Sequence, residues 1–239
     1  MDGWVHCEWG GMGIEALKAG ADVFILVDVL SFTTCVDVAV SRGASILPFA
    51  GNDDSVQEYA ASMNAQAAVR SREKGYSLSP ASVLGIPAGT RLVLPSPNGS
   101  ALSLATGSIP MLAGCLRNAR AVAKAASRMG KQIRLIAAGE RWKDQSIRPG
   151  IEDFLGVGAI VSELHLPLSA EADLARIAFE GAKNRLGWFL EASVSGQELI
   201  ERDRREDIRI AAEFNVSQCV PILRDSAYTR LEAIDPNAG

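Results

Sequence analysis

The chain has 239 residues, of which 48% are hydrophobic and 22% charged, and its formal net charge is −4. That composition excludes a disordered chain, and the acidic balance argues against a broad basic face for duplex nucleic acid. A chain of this length can form one large α/β domain over residues 1–239 and bury a sizeable core without disulfide staples.

Residues 1–11 (MDGWVHCEWGG) carry no basic segment followed by an apolar one. The longest apolar stretch, Val23–Leu30, is short and contains Asp28. The expectation is a cytoplasmic protein with no leader and no membrane span. Cys7, Cys35, Cys115 and Cys219 lie far apart, and the chain has two histidines. Free buried thiols are therefore expected rather than a zinc site.

Taken in chain order, Asp22–Val29 is a continuous run rich in β-branched residues, which predicts a strand buried on both faces. Ser45–Phe49, Arg91–Leu94, Pro110–Ala113 and Ile133–Ala138 read the same way. Helices are predicted between them at Thr33–Arg42, Asp53–Met63, Gly99–Thr106 and Asn118–Met129. This alternation predicts βαβ units in a three-layer α/β/α fold with a mainly parallel sheet. From about residue 151 the pattern becomes helix-rich: Ile151–Glu163, Ala170–Arg185, Leu186–Ser193, Gln197–Arg202 and Glu206–Phe214, then a late strand at Gln218–Leu223. Residues 70–90 form the longest non-periodic stretch, and the tail from Asp235 is expected to fray.

Ligands of such sheets bind outside the carboxyl ends of the strands, so the polar residues there come first. Asp28 ends the first apolar run and is costly to bury unless paired or bound to a metal. Ser31, Thr33 and Thr34 follow at a helix start, where they can cap the helix or donate to an anion. In Pro97-Asn98-Gly99-Ser100, Gly99 lets the backbone approach a ligand, although Asn-Gly is also an ordinary turn. Glu140 and Arg141 adjoin at another strand end, either gripping an oxyanion or forming a surface pair. Arg148 precedes Glu152 and Asp153, two acids in a first helical turn that suit the helix dipole and equally suit Mg²⁺. Successive helical side chains diverge by about 100°, so one of the two would contact a metal and the other support it. Asn118 is a helix cap and a further ligand candidate, and Asp207 in the charged run 202–207 is an additional acid. Glu8-Trp9-Gly10-Gly11-Met12-Gly13 lacks the full dinucleotide-binding pattern and follows no strong strand. His6 and His165 show no triad spacing.

In this order, the blocks Asp28-Val29-Leu30 with Thr33-Thr34, Pro97-Asn98-Gly99-Ser100, Leu116-Arg117-Asn118-Ala119, Ala138-Gly139-Glu140 and Glu152-Asp153 resemble the 2-phosphosulfolactate phosphatase family. Gly156, Gly158-Ala159, Glu206-Asp207-Ile208 and Val220-Pro221 extend the resemblance over most of the chain. It implies an α/β/α fold and Mg²⁺-dependent hydrolysis of 2-phospho-3-sulfolactate to sulfolactate and phosphate, a step of coenzyme M biosynthesis. Two departures stand out: Ser31-Phe32 replaces an Arg-Ala pair in the first motif, and Ser100 stands where threonine is usual.

The function expected is hydrolysis of a small anionic organophosphate. Asp28, Glu152 and Asp153 would serve as catalytic and metal-binding acids. Ser31, Thr33, Thr34, Asn98, Gly99, Ser100, Asn118, Glu140, Arg141 and Arg148 would contact the substrate. The alternative is a non-catalytic protein of the same fold that binds a phosphate or sulfonate metabolite. No nucleic-acid or membrane partner is expected, and assembly with copies of itself stays open.

Overall fold

The computed structural model of the chain describes residues 4–51, 53–70 and 75–232. The first half alternates strand and helix: β1 (Val5–Trp9), α1 (Gly10–Leu17), β2 (Val23–Val27), α2 (Phe32–Ser41), β3 (Ser45–Phe49), α3 (Asp53–Ser62) and β4 (Gln66–Ala67). There follow α4 (Pro80–Val83), β5 (Arg91–Pro95), α5 (Gly99–Ser103), β6 (Met111–Gly114), α6 (Ala119–Met129) and β7 (Ile133–Ala137). A small hairpin, β8 (Glu140–Arg141) with β9 (Ile147–Arg148), precedes α7 (Ile151–Val161). Helices α8 (Ala170–Ala182), α9 (Leu186–Ala192), α10 (Val194–Glu201) and α11 (Arg205–Ala211) lead to strands β10 (Pro221–Arg224) and β11 (Ala227–Arg230).

One sheet contains nine strands in the order β1-β7-β2-β6-β10-β11-β3-β5-β4. It is two parallel ladders, β1-β7-β2-β6 and β3-β5-β4, with the antiparallel hairpin β10–β11 set between them. That hairpin meets β6 through Ile222↔Leu112 and β3 through Tyr228↔Ile46. The sheet is thus mixed at its centre and parallel elsewhere.

The continuous apolar run of β2 has a simple cause. Val23, Ile25 and Val27 point into one core, covered by α6, α7 and α8, and Phe24 and Leu26 point into the other, with α2 and α5. Helix α6 buries Ala119, Val122, Ala123 and Ala126 at helical spacing. Helices α7 and α8 pack so closely that a Cβ on Gly158 would lie 2.0 Å from the Ala175 carbonyl oxygen. Ser169 and Ser193 cap α8 and α10 by accepting amide protons from Ala172 and Gly196. All four cysteines are buried and unpaired. No helix among the described residues is long and apolar enough to cross a membrane.

Several expectations change. A strand, β1, does precede the glycine-rich turn, and the glycines themselves open α1. β1 is an edge strand with His6, Glu8 and Trp9 only partly buried, so its sequence lacks a strong alternation. The helix expected at Gly99–Thr106 ends at Ser103. β11 was not anticipated, because four residues across a tight turn carry little periodic signal. The stretch 70–90 contains α4. Residues 71–74 and the tail from Asp235 lie outside the described residues.

Candidate active site

The loop that leaves β2 is fixed by its own polar groups. The Asp28 amide donates to Thr33 Oγ1 at 3.0 Å, and that hydroxyl donates to the Asp28 carbonyl at 2.8 Å. Thr34 Oγ1 donates to the Val29 carbonyl at 2.8 Å. Both threonines are wholly buried, so their hydroxyls shape the loop instead of reaching a ligand. Ser31 is the cap residue of α2 but makes no side-chain cap bond. The Phe32 amide donates to Asp28 Oδ1 instead, at 3.1 Å. Asp28 therefore caps the helix with one oxygen and turns the other towards Gly99. A Cβ on Gly99 would stand 2.7 Å from Asp28 Oδ2 and 2.4 Å from the Phe32 ring, so only glycine fits there.

Asp153 ties two strand ends together. Its Oδ1 accepts from the Val29 amide at 2.7 Å and its Oδ2 from the Gly139 amide at 2.8 Å. Burial, Glu152 and Asp28 push its carboxyl upward, and the two amides pull it back. Gly139 has φ +62°, and a Cβ there would meet the Arg148 carbonyl at 2.9 Å. Glu152, the neighbour of Asp153 in the first turn of α7, is 3% exposed. Among the described residues no hydrogen bond reaches its carboxylate.

Asp28 is 7% exposed, and its carboxyl is pushed up to about 7. Burial is the main cause, followed by the charge of Glu140 and then that of Glu152, against amide bonds from Phe32 and Gly99. Glu140, at the start of β8, accepts from Asn98 Nδ2 at 2.9 Å. Its carboxyl is also raised by burial, and Asn98 and Arg148 offset part of that shift. Asp28, Glu140 and Glu152 thus form a group of acids in which like charge opposes like. Among the described residues no three His, Cys, Asp or Glu side chains come close enough to hold a metal ion by themselves.

Arg148 stands across the hairpin from Glu140, 3.5 Å from Glu198 and over the Trp142 ring at 5.6 Å. Arg141 is exposed and donates to the Gln145 carbonyl. Beyond Asn98 and Glu140 lies a cavity of about 570 Å³ between α1, α5 and the β8–β9 hairpin.

The sequence that builds these loops has relatives among known proteins. The family model described as 2-phosphosulpholactate phosphatase matches residues 14–226. The chain belongs to that phosphatase family. It is 25% identical over 221 residues to the 2-phosphosulfolactate phosphatase of Methanothermobacter thermautotrophicus, covering 90% of this chain and 92% of that protein. It is 30% identical to a protein of Carboxydothermus hydrogenoformans named "Probable 2-phosphosulfolactate phosphatase", covering 87% and 89% of the two chains. By these names the family consists of phosphoric monoester hydrolases.

Of the residues expected at the site, Asp28, Asn98, Gly99, Glu140, Glu152 and Asp153 come together, with Arg148 beside them. Others do not face it. Ser100 is fully buried and donates to the Leu94 carbonyl at 2.8 Å. Asn118 is fully buried, accepts from the Cys115 amide at 2.9 Å and donates to the Ala113 carbonyl at 3.2 Å. It closes the β6–α6 loop and is no ligand. Asp207 accepts from Ser79 Oγ at 2.6 Å and the Ala81 amide at 3.0 Å, which caps α4. Sequence reasoning did not single out Ser96, whose hydroxyl accepts from the Gly99 amide at 3.1 Å. Nor did it give weight to Gly150, whose Cβ would crowd Glu152 Oε1 at 2.8 Å. The missing signal for both was the turn chemistry around a buried acid.

Proposed function

We propose that this chain is a Mg²⁺-dependent phosphatase of a small anionic phosphate monoester, and that 2-phospho-3-sulfolactate is the first substrate to test. The observation that carries this reading is the pair Asp28 and Glu152. Both are buried beside further acids, and among the described residues neither forms a salt bridge. Buried charges of one sign are costly, and they are relieved either by a retained proton or by a cation from outside the chain.

The donor set suits a hard cation. Mg²⁺ takes one or two carboxylates and completes its shell with water and substrate oxygens, so three converging protein ligands are not required. Asp28 and Glu152 would hold it. Asp153 has both oxygens engaged by amides, so it is the positioning residue that keeps the loops after β2 and β7 in register. When bound, the cation would polarise a phosphoryl oxygen and increase the acidity of water. The chain's own groups do the rest. Asn98, fixed by Glu140, orients the ester, and Gly99 lets the loop after β5 close against Asp28. Arg148 and Arg141 offset charge on the transferred group or on a second anionic end of the substrate.

Phosphate release from 2-phospho-3-sulfolactate and a panel of phosphorylated hydroxy acids, with Mg²⁺ or with EDTA, tests the reading. Asp28→Asn and Glu152→Gln are each expected to lower kcat/KM by about 1000-fold or more, a loss of ~4 kcal/mol of transition-state stabilisation. Binding of these anions without any release, in folded protein supplied with Mg²⁺, would replace it with the non-catalytic binding protein.

A further inference from the structure

Glu140 and Arg148 are partners across the β8–β9 hairpin, so their side chains leave the same face. The Cβ atoms of such partners stand about 5 Å apart, and opposite charges in that position ordinarily join. Among the described residues no salt bridge links these two. Glu140 instead accepts from Asn98 Nδ2 at 2.9 Å. The Arg148 guanidinium lies 3.5 Å from Glu198 Oε1 and over the Trp142 ring. The cross-strand pair is drawn apart, with one holder on each side.

Glu198 belongs to α10 and is itself supported. Arg202, one turn on, lies 3.8 Å from its other oxygen. The neighbouring Leu199 is buried in the core, and Ser193 caps the helix by accepting from the Gly196 amide at 2.9 Å. The Arg148 side chain is 12% exposed and that of Glu198 47%. An ion pair this open adds little to stability, so its consequence lies in where it puts the guanidinium. That place is beside the acid group. Burial raises the Glu140 carboxyl, Asn98 and then Arg148 oppose the shift, and Glu152 and Glu198 add to it. Turned inward, the guanidinium would meet carboxylates that are shielded from water, where attraction is stronger than at the surface.

We propose that Glu198 is a positioning residue: it holds the Arg148 guanidinium off the acid group and so leaves Asp28 and Glu152 open to a divalent cation. The proposal rests on the reading that Mg²⁺ binds those two acids, and it adds how the chain keeps its own cation from taking that place. An arginine and a metal ion compete for the same carboxylates, because each relieves the like charge that burial makes costly. Held by Glu198, Arg148 stays at the edge of the site, where it can serve an anionic group of the substrate. Without Glu198 it would turn onto Glu140 and the acids beside it.

The test compares the full chain as wild type, Glu198→Gln, Arg148→Gln and the double variant. Two quantities are measured: the calorimetric Kd for Mg²⁺, and the melting temperature without metal. Glu198→Gln is expected to raise the Mg²⁺ Kd about tenfold. In the Arg148→Gln background the same substitution should change it by less than about twofold. Melting gives a sign. An ordinary ion pair makes Arg148→Gln costlier while Glu198 is present. The proposal expects the reverse: Arg148→Gln should lower Tm by roughly 2–4 °C more in the Glu198→Gln background, where the guanidinium has joined the acids. Equal Mg²⁺ Kd in wild type and Glu198→Gln overturns the proposal and leaves the Mg²⁺ reading intact. So does a weakening of the same size without Arg148, since the charge of Glu198 would then act directly on the cation. If wild type binds no Mg²⁺, the metal reading fails, and the sign of the melting difference alone decides whether Glu198 holds Arg148 off the acids. The ordinary sign overturns that as well.

Discussion

Two buried aspartates flank the first turns of α2 and meet opposite fates. Asp37 is completely buried, yet Arg117 Nε lies 3.0 Å from one of its oxygens and Ser217 donates to the other at 2.6 Å. Arg117 also pairs with Glu213. Burial raises the Asp37 carboxyl, and Ser217 and Arg117 work against that shift. Asp28 is buried almost as deeply, but its charged neighbours are Glu140 and Glu152. Among the described residues a cation pairs with Asp37 and none pairs with Asp28. A satisfied buried pair holds the C-terminal segment onto α2. An acid held by two amides but surrounded by acids keeps its proton to higher pH, because its charged form has like charges for neighbours.

The largest effect expected from this contrast is at the satisfied pair. Arg117→Ala would leave Asp37 buried without a counter-charge, at a cost of about 3–5 kcal/mol. For a chain of this size that is a fall in Tm of roughly 6–20 °C. Calorimetry at neutral pH measures it, and a change within 1 °C would mean that the pair is not what makes Asp37 structural. Gly99→Ala comes next. The added methyl would stand 2.4 Å from the fully buried Phe32 ring and 2.7 Å from Asp28 Oδ2. Overpacking there should cost about 3 kcal/mol and displace the Asp28 carboxylate, so kcat should fall together with stability.

The reverse sign is expected at Asp28. In metal-free protein at pH 8, Asp28→Asn removes an opposed charge and should stabilise by about 2 kcal/mol, a rise in Tm of roughly 4–8 °C, while activity is lost. The pH dependence follows from the carboxyl raised to about 7. Between the unfolded value near 4 and the folded value near 7, the folded chain keeps a proton that the unfolded chain has released. Stability therefore falls as pH rises through this window, by at most about 1.4 kcal/mol per unit. Asp28→Asn should lack that limb. Melting curves from pH 5 to 8 decide it, and an unchanged limb in the variant would assign the titration to another group.

The contrast explains how much could be read beforehand. The strands β2, β3, β5, β6 and β7 announce themselves because burial on both faces leaves continuous apolar runs. β1 and β11 do not, one being a half-exposed edge and the other a four-residue arm of a hairpin. Asp28 stood out because an acid at the end of an apolar strand is costly to bury, whereas Glu152 and Asp153 carried a signature shared by helix-dipole acids and metal ligands. Asn118 and Ser100 looked alike to ligands, since a polar residue at a helix start has the same sequence signature whether it bonds backbone or substrate. The role of Asp153 rests on the amide of Val29, 124 positions away. Nothing local marks such a pairing. The cavity beside α1 was hidden because Gly10 and Gly11 were weighed only as a dinucleotide loop, whereas the wall they face, Ile147, comes from the distant hairpin.

The smallest expected effect is also the sharpest probe of why Asp28 titrates where it does. Glu140→Gln keeps an oxygen that can accept from Asn98 Nδ2, so the contact at 2.9 Å survives and only the charge is removed. Overall stability at neutral pH should change by less than about 1 kcal/mol, because Glu140 is only partly buried and one hydrogen bond is exchanged for its equal. The Asp28 carboxyl, however, loses the neighbour that raises it most after burial. Its folded value should move down towards the unfolded one, and the falling limb of stability should end at lower pH than in wild type. If the limb stays in place, burial and Glu152 set the Asp28 value, and Glu140 is a neighbour without coupling. If it moves, Asp28 and Glu140 share one field, and a cation placed between them would be felt by both.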